Sequence, residues 1–247
     1  FLGQAGVPAT PDFFDVLLHL GTLVAVFVAY WKDIREMVVE LIDGIRDLAR
    51  GTTPNPIPPA RRLILLIIVA TLPLFAVLPV KDLVEGLSGN IYFVAGALVV
   101  TGFLLFASDR VKKGRKTERS AKLLDVLLVG IAQAIATCPG ISRSGTTITA
   151  GCFVGFDRKF AVRFSFLMSI PAVLGANILT LKDAITEGGI VVSDIPVYLV
   201  GVAVAAVVGY ACIRLLKMIA DKGKFGWFAY YCWAAGLIVL ALTLVLG

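Results

Sequence analysis

What most constrains this chain is the spacing of its charges. Apolar stretches of 17 to 21 residues recur with few or no charges, and short loops rich in Lys and Arg separate them. About 20 such residues, as a helix, cross the roughly 30 Å of bilayer hydrocarbon. The candidate spans are Phe13–Trp31, Leu63–Val80, Ile91–Ala107, Phe160–Thr180, Val197–Ile213 and Trp227–Leu246. With 58% hydrophobic residues and only 16% charged ones, the chain carries more apolar surface than a soluble domain of this length needs. The expected fold is an all-α integral membrane protein with six transmembrane helices, in a single membrane domain over residues 1–247.

The charge distribution sets sidedness. Lys and Arg number six in 32–62, seven in 108–122, three in 157–163 and four in 214–224, against one each in 81–90 and 181–196. The two poor loops carry Asp82, Glu85, Asp183, Glu187 and Asp194. The positive-inside rule places the four rich stretches in the cytoplasm and the two poor ones outside. The net charge of +6 is thus a matter of topology, and nucleic acid is not an expected partner. Trp227, Tyr230, Tyr231 and Trp233 fall near the cytoplasmic end of the last span, where an interfacial aromatic belt belongs.

This path meets an obstacle between 108–122 and 157–163. Both stretches are cytoplasmic, and the apolar chain between them is too short for two crossings. Leu123–Thr137 is 15 residues, about 22 Å as a helix, and Ile148–Phe156 is nine, about 14 Å. The expected solution is a re-entrant hairpin over 123–156 that enters from the cytoplasm, turns at Cys138–Thr147 and returns. Non-helical backbone at membrane depth is tolerated only inside protein or against a watery cavity.

Residues 108–247 then read as a hairpin followed by three spans, and 1–107 as three spans starting from the opposite side. Two such halves would be an inverted-topology repeat. The symmetry predicts another hairpin before Phe13. The opening Phe1-Leu2-Gly3-Gln4-Ala5-Gly6-Val7-Pro8 reads as a loop between structured pieces, with no signal-peptide features, so further sequence upstream is expected. Residues 32–50 alternate charged and apolar positions. They read as a cytoplasmic helix that either extends the first span or lies at the interface, and the Pro-rich run 54–59 ends it. The four cysteines lack any paired ligand spacing and read as small buried apolar residues.

Of the 23 basic residues, Arg143 alone lies away from the span-flanking loops. It stands inside Pro139-Gly140-Ile141-Ser142-Arg143-Ser144-Gly145-Thr146-Thr147. A guanidinium at membrane depth is costly unless an anion or water meets it. Pro139 stops the first arm, and Gly140 and Gly145 let backbone turn and approach a ligand. Ser144 or Thr146 is expected to cap the second arm, whose free amides and dipole favour an anion. Arg143 can hold phosphate oxygens bidentately. Ser142, Ser144, Thr146 and Thr147 can donate to the rest, or one can attack phosphorus. A structural alternative pairs Arg143 with Asp125 or Asp157.

The run resembles the second signature of the bacterial undecaprenyl-pyrophosphate phosphatase family, the bacitracin-resistance proteins: Pro-Gly-x-Ser-Arg-Ser-x-x-Thr, complete here at Pro139, Gly140, Ser142, Arg143, Ser144 and Thr147. The resemblance extends to Ile131-Ala132-Gln133 before it, to Arg163-Phe164-Ser165-Phe166-Leu167-Met168-Ser169-Ile170-Pro171 after it, and to Phe14-Asp15-Val16-Leu17-Leu18-His19-Leu20-Gly21-Thr22 in the first span. It implies a multi-pass enzyme of the bacterial inner (plasma) membrane with its site facing the periplasm. That enzyme removes the terminal phosphate of a C55 polyprenyl diphosphate, recycling the lipid carrier of cell-wall synthesis. It implies catalytic roles for Arg143, Ser142 and Thr147, with Gly140, Ser144, Gly145 and Thr146 around the phosphate. It also implies a divalent cation, Mg or Ca. His19, Ser165 and Ser169 are candidates to line the pocket, and a homodimer is among the expected assemblies.

The family's other signature, Glu-x-x-x-Glu followed by Ser-Ser-x-x-His, has no match in this chain, and its metal ligands are expected upstream of Phe1. Without that signature the chain is expected to hold half a site and to be inactive. Glu36 and Glu40 have the right separation but follow a span among basic residues, where charged helix faces commonly produce such pairs. The rival reading is a lipid flippase or secondary transporter with a midplane phosphate site, since inverted repeats and interrupted helices are transporter architecture. A phosphohistidine lipid phosphatase is excluded, because no histidine follows His19.

Overall fold

A computed structural model describes residues 11–52, 54–186, 195–222 and 224–246. The opening loop Phe1–Pro8, the hairpin expected before it, and Glu187 and Asp194 lie outside the described residues. Ten α-helices are described: α1 Pro11–Ala29, α2 Trp31–Ala49, α3 Pro59–Thr71, α4 Lys81–Gly86, α5 Ile91–Ser108, α6 Leu123–Ile135, α7 Arg143–Phe153, α8 Arg158–Thr186, α9 Ile195–Lys222 and α10 Gly226–Leu246. Five stretches are long and apolar enough to cross a membrane: Pro59–Val84, Ile91–Ser108, Arg158–Ile178, Ile195–Lys222 and Gly226–Val245. A sixth is reached only if α1 and α2, bent at their junction, are counted as one. The five each overlap an expected span, and α1 overlaps the expected Phe13–Trp31.

Local chemistry explains the irregular places. α3 starts on Pro59, where a missing amide costs nothing. Its continuation tightens into 3-10 turns at Leu72–Ala76 and Leu78–Val80, around Pro73 and Pro79. Each proline there removes a donor from the helical ladder. The chain bends by 85° between α1 and α2, so α2 does not extend the first span.

The described residues form two compact units. In the first, Phe1–Arg35 with Ser169–Leu216, α1 and α9 approach through small residues: Cβ atoms on Gly21 or Gly201 would come within 2.6 Å of the Val202 carbonyl or the Phe14 ring. Close backbone approach at small residues is how membrane helices gain packing energy, since lipid supplies little hydrophobic drive. The second unit, Glu36–Met168 with Lys217–Gly247, is built the same way. Gly236 of α10 lies against Val99 of α5, and the Trp233 indole N–H donates to the Val99 carbonyl at 3.2 Å. Gly130 of α6 lies against the Ala70 carbonyl of α3, with no room for a side chain.

Two polar knots close the second unit. Asp109, just past α5, accepts from Arg158 at 3.2 Å and from the amides of Phe225 and Gly226 at 2.9 and 2.6 Å. It thereby joins the ends of α5, α8 and α10. At the second knot, the Lys116 amide donates to the Gly155 carbonyl at 3.0 Å, and the Asp157 amide donates to the Lys116 carbonyl at 2.9 Å. The Lys116 ammonium reaches both Asp125 oxygens, at 2.8 and 2.9 Å. Chain that precedes α6 is thus bonded to chain that follows α7, so the segment between them starts and finishes at one end. That is a hairpin.

Burial works to raise the Asp125 pKa, but Lys116 and the Lys122 amide outweigh it and hold the carboxyl below its ordinary range. The folded state therefore binds this proton less readily than the unfolded chain does. The stabilisation is complete above the ordinary Asp pKa of about 3.9 and fades as pH falls through the depressed value. Protection of the Lys116 amide, relative to its intrinsic exchange rate at each pH, should hold down to about pH 4 and fall below it. In Asp125→Asn the protection should already be low at neutral pH and lose its acid dependence.

Candidate functional site

The expected signature occupies the hairpin's turn and the head of its second arm. α6 ends at Ile135, and Gly140 adopts a positive φ of 86°. A Cβ at Gly140 would also run into the Val94 carbonyl of α5, so the turn admits only glycine on two counts. Thr101 of α5, fully buried, pins the tip: its hydroxyl accepts from the Ser142 amide at 3.1 Å, with the Gly140 carbonyl at 3.5 Å.

The second arm starts earlier than expected. Ser142, rather than Ser144 or Thr146, caps α7, its Oγ accepting from the Gly145 amide at 3.2 Å. Pro139-Gly140 and the Thr101 bond complete the turn by Ser142, so the helix resumes there. This choice frees Ser144. Its hydroxyl has no partner among the described residues, and the amides of Arg143 and Ser144 open α7 without acceptors. Arg143 thus sits at the positive end of a helix dipole, in its first turn.

Neither carboxylate that could have neutralised Arg143 does so. Asp125 is taken by Lys116 and by the Lys122 amide at 2.9 Å. Asp157 caps α8, accepting from Lys159 and Phe160 amides at 3.0 and 3.3 Å. Arg163 pairs with Glu118 at 3.5 Å. Among the described residues the half-buried Arg143 guanidinium has no hydrogen bond and no ion pair.

The remaining candidates divide by depth. Gly145, Thr146 and Thr147 are buried. The Thr147 hydroxyl lies 2.6 Å from that of Ser165 and 2.9 Å from the Arg143 carbonyl, behind the tip, so Ser165 is brought to the signature. His19 is exposed on α1 and Ser169 is half-buried on α8, both in the first unit. Gln133 had no assigned role from sequence. It is fully buried in the last turn of α6, with neither amide atom bonded, and the Thr146 hydroxyl is in the same condition. A lone carboxamide in an apolar helix, six residues before the signature's proline, was the available signal.

A divalent cation finds no ready site. Among the described residues no group of three or more His, Cys, Asp or Glu could hold a metal ion. Glu40, one of the two misleadingly spaced glutamates, is bonded by Arg61 at 3.2 Å.

The sequence matches the family model "Bacitracin resistance protein BacA" over residues 2–238. It is similar to the undecaprenyl-diphosphatase of Methanosphaera stadtmanae, 38% identical over 239 residues, covering 94% of this chain and 85% of that one. A protein of the same name from Alkaliphilus metalliredigens is 38% identical over 234 residues, with the same coverage. Another, from Methanothermobacter thermautotrophicus, is 42% identical over 185 residues, 73% of this chain and 100% of that one.

Proposed function

Since the chain belongs to the BacA bacitracin-resistance family, we propose that it is an undecaprenyl-diphosphate phosphatase. It hydrolyses the terminal phosphate of the lipid diphosphate to give undecaprenyl phosphate and inorganic phosphate. This recycles the carrier of peptidoglycan synthesis and confers bacitracin resistance. The protein lies in the inner membrane, and the hairpin tip is reached from the periplasmic face. The supporting observation is Arg143: a guanidinium with no partner among the described residues, heading a helix whose first two amides are also without acceptors there.

Those groups suit a diphosphate. Arg143 takes two non-bridging oxygens, and the Arg143 and Ser144 amides with the Ser144 hydroxyl take the others. All are in place before charge develops on phosphorus, and such preorganisation is the main source of catalysis in phosphoryl transfer. Ser142, tied to the Gly145 amide, keeps its proton to donate or to lose as a nucleophile. Thr147 acts through Ser165 and the Arg143 carbonyl, holding the first turn of α7 rigid. Gln133 on α6 and Thr146 on α7 add buried polar atoms without partners to the two arms of the hairpin. In this reading the halves 1–107 and 108–247 are inverted repeats. What supports it is the order in the second half, a hairpin followed by α8, α9 and α10.

The test is phosphate release from a C55 diphosphate by the full-length protein in lipid nanodiscs. One inorganic phosphate should appear per lipid monophosphate. Passage of a labelled lipid diphosphate across vesicles with no phosphate released would replace this reading with the transporter.

A further inference from the structure

We propose that α2 is an in-plane membrane helix that binds an anionic phospholipid surface on the cytoplasmic side. Three observations carry this. The first is direction. α2 leaves α1, a span, at an angle of 85°. Its far end is held against the start of another span: Arg61, in the first turn of α3, bonds Glu40 at 3.2 Å and Asp47 at 2.9 Å. A helix turned this sharply from one span and fastened to the head of the next lies along the membrane surface.

The second is the face left uncovered. At about 100° per residue, Trp31, Val38, Leu41, Ile42, Ile45 and Leu48 fall on one side of α2, and they are 45% to 79% exposed. Glu40 and Asp47, which Arg61 holds, fall on the opposite side. Trp31 also lines the end of an apolar groove along α1, with Leu20, Leu23, Val24, Phe27 and Val28. The apolar face of α2 thus starts where the lipid-facing surface of a span ends. A broad apolar face of this kind on a helix of low net hydrophobicity is the pattern of helices that bury one side at the headgroup boundary.

The third is charge. Lys32, Arg35, Arg46 and Arg50 are all exposed and fall in one strip, between the apolar and acidic sides. Among the described residues only Arg46 of these four has a partner, the part-exposed Asp43 at 3.2 Å, and solvated pairs of that kind bind weakly. A basic strip along the edge of a buried apolar face meets lipid phosphates, and the anionic cytoplasmic leaflet favours it. A second copy of the same surface would bring like charge to like charge.

Ile45→Cys and, on the opposite side, Asp43→Cys would each carry an environment-sensitive fluorophore, in protein whose exposed Cys212 is replaced by Ser. Both would be placed in nanodiscs of phosphatidylcholine with and without phosphatidylglycerol. The label at 45 should emit blue-shifted and lose intensity to spin-labelled lipid, while the label at 43 should report water. Phosphatidylglycerol should deepen the quenching at 45. Changing Lys32, Arg35, Arg46 and Arg50 to Gln should abolish that dependence and leave phosphate release unchanged. Water-like emission at 45 overturns the proposal. So does a blue shift that lipid quenchers do not reach, which would mean a protein partner covers the face. Quenching at 45 indifferent to phosphatidylglycerol would refute the anionic preference.

Discussion

Arg143→Ala should lower kcat/KM for the lipid diphosphate by about 10²- to 10³-fold, the usual loss when one preorganised donor to a developing oxyanion is removed. At about 1.4 kcal/mol per tenfold, that is roughly 3 to 4 kcal/mol of transition-state stabilisation. The same variant should be no less stable than the parent. The guanidinium has no partner among the described residues, so truncating it breaks no bond and removes a charge that is costly to hold in an apolar environment. These opposite expectations separate the functional role from a structural one. An arginine that merely tied the hairpin together would lower the melting temperature along with the activity. Arg143→Lys keeps the charge but loses the fork that grips two oxygens at once, so its activity should fall between the two. Turnover in Arg143→Ala equal to the parent's would remove the tip from the chemistry.

The spans and the hairpin were legible because each rests on a local count. A run of 17 to 21 apolar residues is visible without knowing its neighbours, and so is a 34-residue apolar insertion, 123–156, between two basic loops. Arg143 was legible for the same reason, as the basic residue out of place. Side-chain partners were harder. Asp157 was an expected counter-ion for Arg143, yet its carboxylate caps the helix beginning one residue later. Cap assignment failed at Ser142 because Thr101, 41 residues earlier, completes the turn, and no pattern within the signature reveals that. Gln133 shows in the sequence only as a lone carboxamide in an apolar helix, since burial of both its amide atoms is a property of the packed hairpin. The orientation of α2 is not legible in its sequence, because its periodicity is the same whether it continues α1 or turns away, and only the 85° bend decides.

Asp109→Ala should be among the most destabilising single substitutions in the chain, costing about 3 kcal/mol. Its partners lie 49, 116 and 117 positions away, so sequence offered no hint of it. The arithmetic starts from Arg158, whose side chain is only 11% exposed and whose fork also reaches the carbonyls of Ser108 and Asp109 at 3.5 Å. Those long bonds do not replace an anion. Removing the carboxylate leaves a nearly buried cation uncompensated, which costs far more than the pair contributes when intact. The amides of Phe225 and Gly226 lose their acceptor at the same moment, and that lost helix cap is about 1 kcal/mol of the total. Asp109→Asn keeps an acceptor of nearly the same shape but no charge, so it should recover the cap term and little of the ion-pair term. Changing Asp109 to Ala and Arg158 to Met together should be less harmful than Asp109→Ala alone, because the stranded charge is gone. Thermal unfolding in one detergent, followed for all four proteins, reads these differences directly. If the double variant is as unstable as the single one, the cost lies in the α10 cap rather than in the buried cation, and the ion pair is not what holds the ends of α5 and α8 together.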